Sequence, residues 1–154
     1  MDTSNNSQFI YEYTSKVYEE AKRSNDIVTD KLTKVLAFSG VLLKFGYDME
    51  SEGLQFTAKF IVLALLISAI GLCATGLYLK TVQKAGLTPE YLLEEQYGLE
   101  PEKMWVMISR AKIEGIEELR NIQGYRGSLL GYAIGCLVAS GMVFGLTGML
   151  SGIH

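Results

Sequence analysis

The chain has 154 residues, 49% of them apolar, and a formal net charge of −3, which excludes the basic excess expected of a nucleic-acid-binding protein. The apolar residues are concentrated in blocks, which is the pattern of a membrane protein. A lone histidine, His154, and two cysteines within apolar blocks, Cys73 and Cys136, argue against a disulfide framework, a metal site and a Ser-His-Asp triad. We therefore expect a non-enzymatic membrane domain over residues 1–154, without metal or cofactor, in which the cysteines are small packing residues.

The first predicted element is an amphipathic helix over residues 8–31. Apolar and small side chains such as Ile10, Val17 and Val28 recur at three- and four-residue steps on one face, and the other face is charged. This pattern is typical of a surface helix that packs on its own protein. A coiled-coil-like contact between subunits is the alternative.

Residues 32–49 continue this helix as a short apolar segment with a lysine near each end, Lys34 and Lys44. A lysine near the end of a span can extend its ammonium group to the lipid headgroups, whereas a lysine at mid-bilayer is strongly unfavourable. We therefore predict the first transmembrane helix here, with a helix lying in the membrane interface as the alternative. An acidic turn over residues 48–54 follows.

A second transmembrane helix is predicted over residues 56–79, because a long uncharged run follows Lys59 in the first turn. Hydroxyl side chains in the second and last spans either line a narrow polar path in an oligomer or hydrogen-bond within their own helices. These residues are Ser68, Thr75, Ser128, Ser140 and Thr147.

The polar residues 80–126 are expected to leave the membrane as a cytoplasmic helical segment. It comprises a short helix near Thr88 and a longer helix from Pro101, and Gly124 and Gly127 mark a joint before the last span. Four residues of this segment are candidate contacts for a partner or signal. They are Trp105, Lys112, Arg120 and Arg126.

The last predicted span, residues 127–152, contains no charged residue and is rich in glycine. Small residues spaced by three or four positions let a second helix approach closely in lipid. We therefore predict that this helix forms the interface of a homo-oligomer through its small residues. They are Gly127, Gly131, Gly135, Ala139, Gly141, Gly145, Gly148 and Gly152.

The distribution of lysine and arginine predicts the orientation of the spans. Basic residues precede the first span and lie between the second and third, whereas the acidic turn and the C-terminal tip contain none. Cytoplasmic segments carry the excess of lysine and arginine. The N-terminal helix and residues 80–126 are therefore expected in the cytoplasm, and the C-terminus outside.

The stretch Thr29 to Leu43, TDKLTKVLAFSGVLL, resembles the opening of the first membrane helix in the small SLATT-like effectors of bacterial nucleotide-signalling defence systems. The resemblance lies in Asp30 and Lys31 at the end of a charged helix, followed by a leucine-rich run with Leu36 and Gly40. The chain departs from this pattern in its long segment between the second and third spans and in lacking a recognisable nucleotide-binding domain. The resemblance implies a membrane-disrupting effector of the bacterial inner membrane, triggered by a cytoplasmic sensor protein or nucleotide messenger.

Two functions remain open from the sequence. The first is an oligomeric inner-membrane effector that forms a pore or disrupts the membrane in antiviral defence. The alternative is a non-conducting membrane anchor or assembly subunit that recruits a cytoplasmic partner protein. Both require an all-α integral membrane protein with three transmembrane helices that contacts the bilayer and further copies of itself.

Overall fold

The computed structural model describes residues 3–48, 54–79 and 100–151, and these ranges are all-helical, as predicted. Helix α1 comprises Thr3–Asp48, α2 comprises Leu54–Tyr78 and α3 comprises Pro101–Ser151. The short helix predicted near Thr88, residues 49–53 of the acidic turn and Gly152 lie outside the described residues.

Helix α1 joins the predicted amphipathic helix and the predicted first span without a break. It begins at Thr3 rather than at residue 8, and neither proline of the chain lies within it. Hydroxyl side chains inside the helix donate hydrogen bonds to the carbonyl four residues earlier, as Ser39 does to Val35 at 2.7 Å. Such bonds satisfy the hydroxyl groups without interrupting the backbone ladder.

Helix α3 runs continuously from the predicted polar segment into the predicted last span, so the predicted joint at Gly124 and Gly127 is wrong. An interior glycine costs a helix roughly 1 kcal/mol relative to alanine, which is less than the loss of backbone hydrogen bonds in apolar surroundings. The Ser128 hydroxyl also donates to the Gly124 carbonyl at 3.1 Å. The glycines are therefore tolerated inside one helix.

The helices form two compact units. Unit 1 contains residues 3–26 of α1 and 100–123 of α3, and unit 2 contains residues 27–48 of α1, all of α2 and residues 124–151 of α3. The interior of unit 2 is mainly apolar, although Ser39, Ser140 and Arg126 are also buried there. The fully buried apolar cluster consists of Leu32, Ala69, Cys73 and Ala133. Cys136 packs against this cluster and both thiols are free, so the predicted packing role of the cysteines is confirmed.

Within unit 2, α1 and α2 are antiparallel. A Cβ atom added at Gly76, near the end of α2, would lie 3.0 Å from Cδ1 of Leu32 in α1. A Cβ atom added at Gly46, near the end of α1, would lie 3.4 Å from Cδ2 of Leu63 in α2. The same Cβ at Gly76 would also lie 3.5 Å from Leu129 of α3. Gly76 therefore lies where the three helices meet.

Two of the described helices are long and apolar enough to cross a membrane, α2 over Phe56–Tyr78 and α3 within Pro101–Met149. Their most apolar 18-residue windows have mean hydropathies of 2.5 and 2.0. Only 28% and 17% of these windows are buried inside the protein. A core helix of a water-soluble protein of this hydropathy would be mostly buried, so these exposed apolar surfaces favour contact with lipid.

Candidate assembly surface and helix-end contacts

The predicted glycine residues of α3 lie on an open surface of unit 2. A Cβ atom added at any of them would meet no atom within 4 Å outside its own stretch of helix. The residues are Gly127, Gly131, Gly135, Gly141, Gly145 and Gly148, and we call them the glycine face. Because no side chain of the described helices covers this face, it is open to close approach by another helix.

A different side of α3 packs against the core of unit 2. Leu129 and Ala133 are buried there, and Leu130 and Leu137 lie partly buried beside them. The exposed residues Ile134 and Val138 accompany the glycine face instead. Ala139, predicted as part of the same interface, is partly buried. The outward surface of α3 therefore combines open glycines with exposed branched side chains.

Every predicted span hydroxyl donates a hydrogen bond within its own helix. Ser68 donates to the Ala64 carbonyl at 2.8 Å, and Thr75 to the Gly71 carbonyl at 2.8 Å. On α3, the acceptor carbonyls are those of Gly124 for Ser128, Leu137 for Ser140 and Val143 for Thr147. Of the two alternatives for these hydroxyls, internal hydrogen bonding is the one observed within the chain.

Arg126 is buried at the end of α2, with 4% of its surface exposed. Its Nε donates to the Gly76 carbonyl at 3.0 Å, its Nη1 to the Thr29 hydroxyl at 3.0 Å, and its Nη2 to the Leu79 carbonyl. Helix α2 has no basic residue in its own last turn. Carbonyl groups at a helix C-terminus lack partners within the helix and are stabilised by hydrogen-bond donors and positive charge. Arg126 of α3 provides both to the end of α2. Its guanidinium group is thus bound inside unit 2.

Lys59 makes the corresponding contact at the opposite end of the α1–α2 pair. Its Nζ donates to the Tyr47 carbonyl at 2.9 Å and lies 6.0 Å from the centre of the Tyr47 ring. Helix α1 also lacks a basic residue in its last turn. The end of α1 is therefore capped by a cation from α2, and the end of α2 by a cation from α3.

The other predicted contact residues lie in unit 1. Lys112 donates from Nζ to the Ser15 hydroxyl at 2.6 Å and lies 4.4 Å from the centre of the Tyr11 ring. Trp105 is partly buried and Arg120 is exposed. Their role in binding a partner stays a prediction.

Sequence reasoning missed the polar interior of unit 1. Four of its buried side chains are polar, namely Ser7, Thr14, Asn25 and Ser109. A signal was available, since Ser7 and Thr14 are seven residues apart on α1, and Asn25, Leu32 and Ser39 continue a second series at that spacing. All five are buried. A stripe defined by large apolar side chains does not include the four polar positions of this series.

Among residues 3–48, 54–79 and 100–151, no group of His, Cys, Asp and Glu side chains could hold a metal ion. No protein-family model matches the sequence, and comparison with curated proteins and with solved structures also gives no match.

Proposed function

We propose that the chain is a three-span integral membrane protein in which residues 32–49 of α1 cross the bilayer beside α2. The support comes from contacts at both ends of this segment. At one end Arg126 bonds both Thr29 of α1 and Gly76 of α2, and at the other Lys59 of α2 bonds Tyr47 of α1. A segment held to the second span at both ends shares its depth in the membrane.

The lengths agree with a bilayer. At a rise of 1.5 Å per residue, the segment from Thr29 to Tyr47 is about 27 Å long and that from Lys59 to Gly76 about 26 Å. The hydrocarbon core of a bilayer is about 30 Å thick. The two cationic caps therefore lie near the two membrane interfaces, where an arginine or lysine is tolerated. Lys34, paired with Asp30 at 2.6 Å, and Lys44 lie close enough to these interfaces to reach them.

The proposed orientation places the N-terminal helix and residues 80–126 in the cytoplasm of a bacterium, with the C-terminus outside the inner membrane. The distribution of basic residues supports this orientation, and the helix directions support the number of crossings. In unit 1, Ser15 contacts Lys112 and Ser24 contacts Gln123, so α1 and α3 advance in parallel. Two parallel helices separated by an antiparallel α2 are the arrangement that three successive crossings require.

The function we propose is that of a self-assembling effector that permeabilises the inner membrane when triggered from the cytoplasm, in antiviral defence. The observation that carries it is the glycine face, uncovered on a helix whose most apolar window is only 17% buried. In lipid, such a face gains stability by close packing against another helix. Assembly through this face would bring several copies together around one point in the membrane.

The helix that covers the glycine face in our proposal is α1 of the next copy. Phe38 and Phe45 are 57% and 67% exposed and form a ridge on α1. Thr29 and Arg126 lie at the same depth to within about one helical turn, since the Arg126 side chain bonds the Thr29 hydroxyl at 3.0 Å. Counting from them at 1.5 Å per residue, Phe38 lies level with Gly135, and Phe45 lies between Gly141 and Gly145.

A ridge of aromatic side chains at the depth of a glycine groove is sterically complementary to it. The contact uses two different surfaces, α1 on one copy and α3 on its neighbour. Contacts of this head-to-tail kind close into rings when the rotation between copies allows it. A ring is the assembly that a pore requires.

A non-conducting membrane anchor that recruits a cytoplasmic partner is the second candidate function. The hydrogen bonds of the span hydroxyls favour it. Each of the five hydroxyls already donates within its own helix, as Ser68 and Ser128 do, so the spans offer few free donors to line an aqueous path.

Leakage from reconstituted liposomes separates the two functions. The purified chain is added to vesicles loaded with a self-quenched dye at a high ratio of protein to lipid, where mass action drives assembly without the trigger, and assembly is followed in parallel by chemical crosslinking. For an effector we expect crosslinked oligomers and dye release together, and the loss of both when Gly131 and Gly135 are replaced by leucine. Oligomers without dye release, and an unchanged membrane potential in bacteria that express the chain with its cytoplasmic partner, would instead support the anchor.

A further inference from the structure

The interior of unit 1 is an unusually polar contact between two parallel helices, and we call it the polar seam. Its buried side chains are Ser7, Thr14, Asn25 and Ser109 with the apolar Ile116 and Leu119. By contrast, most of the buried side chains described in unit 2 are apolar, with Ser39, Arg126 and Ser140 as polar members. Because hydrophobic stabilisation follows the apolar area removed from water, the seam of unit 1 is weakly held compared with the core of unit 2.

The hydroxyls of Thr14 and Ser109 do not join the two helices. The buried Thr14 hydroxyl donates to the Ile10 carbonyl of its own helix at 2.7 Å. The Ser109 hydroxyl oxygen, in a residue that is 3% exposed, has no hydrogen-bond partner among the described residues. A buried hydroxyl without a partner destabilises the closed state, because water would bond it in the open state.

Lys112 and Gln123 of α3 make polar contacts with α1 across the seam. The Lys112 Nζ reaches the Ser15 hydroxyl at 2.6 Å and stands over the Tyr11 ring at 4.4 Å. Further along, the Gln123 side chain donates to the Ser24 hydroxyl at 2.6 Å. Water can replace each of these hydrogen bonds when the helices part. The cation–π contact of Lys112 is the one that water replaces least well.

We infer that the polar seam is a conformational switch, in which α1 and α3 separate within unit 1 while unit 2 stays folded, and that Lys112 holds the seam closed. In the function proposed above, on which this role rests, opening of the seam is the response to the cytoplasmic trigger. Helices α1 and α3 both continue without a break from unit 1 into unit 2. A change at the seam can therefore reach the spans through the helices themselves.

Hydrogen exchange of the full chain in lipid nanodiscs tests the opening itself. Replacing Ser109→Ala removes the unpartnered hydroxyl and should slow amide exchange in unit 1 about threefold, whereas Lys112→Met should accelerate it about tenfold. Neither change should alter exchange in unit 2. Arg110→Met removes an exposed cation two positions away on α3 and serves as the control. If neither Ser109→Ala nor Lys112→Met changes the amide exchange rates in unit 1, the proposed switch is overturned.

A reversible lock tests the role in activity. Ser24→Cys and Gln123→Cys are joined by a reducible bis-maleimide in a background with Cys73→Ala and Cys136→Ala. The locked chain should still assemble but release no dye from liposomes until a reductant cleaves the link. Equal leakage from locked and reduced protein would overturn the switch and leave the proposed pore standing. If the reduced protein releases no dye but hydrogen exchange follows the expected pattern, the proposed pore and the role of the seam in activity are overturned. The opening of the seam itself would still be supported.

Discussion

Arg126 of α3 donates a hydrogen bond to the carbonyl oxygen of Gly76 in α2 at 3.0 Å, from a position where only 4% of the arginine is exposed. The same guanidinium also bonds Thr29 of α1, so one side chain connects the three helices of unit 2. Its positive charge faces the C-terminal end of α2, where the helix carbonyls carry partial negative charge.

Replacing Arg126→Ala should therefore destabilise unit 2 by about 2–3 kcal/mol, because hydrogen bonds from a charged donor are lost and α2 carbonyls are left buried. Arg126→Lys should recover only part of this stability, since an ammonium group cannot match the geometry of the guanidinium fork. Unfolding by SDS in mixed micelles measures both variants. Arg110→Ala, at an exposed position of α3, is the control. Equal unfolding curves for Arg126→Ala and Arg110→Ala would contradict a capping role.

Gly76 and Gly71 provide a matched pair of substitutions on α2. A Cβ at Gly76 would lie 3.0 Å from Leu32, whereas a Cβ at Gly71 would meet nothing within 4 Å. Gly76→Leu should destabilise the protein by about 1–3 kcal/mol or more, because overpacking forces neighbouring helices apart. Gly71→Leu should leave the unfolding midpoint nearly unchanged. Destabilisation of equal size by the two substitutions would show that Gly76 is not a point of close helix packing.

The all-helical fold and the apolar core were predictable because they follow from local patterns along the chain. The uncharged run after Lys59 indicates a helix that can cross a membrane, and the apolar surroundings of Cys73 indicate a packing residue, before any tertiary contact is known. The absence of described atoms within 4 Å of a Cβ at Gly131 is consistent with the predicted assembly face, although it does not identify what covers that face.

The helix-end contacts were not predictable, because they depend on the register between helices. Nothing in the sequence around Arg126 pairs it with the carbonyl of Gly76, fifty positions earlier. The predicted joint at Gly124 failed for a different reason. Glycine lowers helix propensity locally, but the backbone hydrogen bonds of the continuous helix α3 outweigh that cost in apolar surroundings.

The number of spans can be tested with single cysteines and a membrane-impermeant maleimide. If residues 32–49 cross the bilayer, Ser51→Cys should be labelled from outside intact cells, and Ser24→Cys only after the inner membrane is permeabilised. If α1 lies in the interface, the two cysteines are on the same side and react under the same condition. The experiment uses a chain with Cys73→Ala and Cys136→Ala, whose expression and folding are checked beforehand.

The removal of the α1 cap tests the same span through stability. Lys59→Met keeps the length of the side chain but removes the donor that reaches the Tyr47 carbonyl at 2.9 Å. We expect a loss of about 1 kcal/mol in SDS unfolding, because the bond is exposed on the protein surface. Lys44→Met, a lysine on the same α1 end, should have a smaller effect. The reverse order would argue that Lys59 only anchors α2 to the headgroups.

Crosslinking between copies tests whether α1 of one copy packs on the glycine face of another. Phe38→Cys on one copy and Gly135→Cys on another, co-expressed in the cysteine-free background, should form a disulfide-linked dimer on mild oxidation. Leu130→Cys replaces Gly135→Cys in the control, because Leu130 packs against the core of its own chain. A dimer formed by Gly135→Cys alone, and not by the mixed pair, would mean that α3 pairs with α3.

The same face can be closed by adding side chains. Gly131→Leu with Gly135→Leu should weaken assembly about tenfold or more, since each leucine fills space that the approaching helix needs and overpacking costs about 1–3 kcal/mol per site. Gly71→Leu adds a leucine to an equally open position on α2 and should leave assembly intact. Assembly is measured by energy transfer between labelled copies in liposomes as protein is diluted with lipid. Because all three positions are open within the chain, their folding stabilities should agree, so a difference in energy transfer reports the contact between copies. Equal energy transfer from both variants would move the interface away from Gly131 and Gly135.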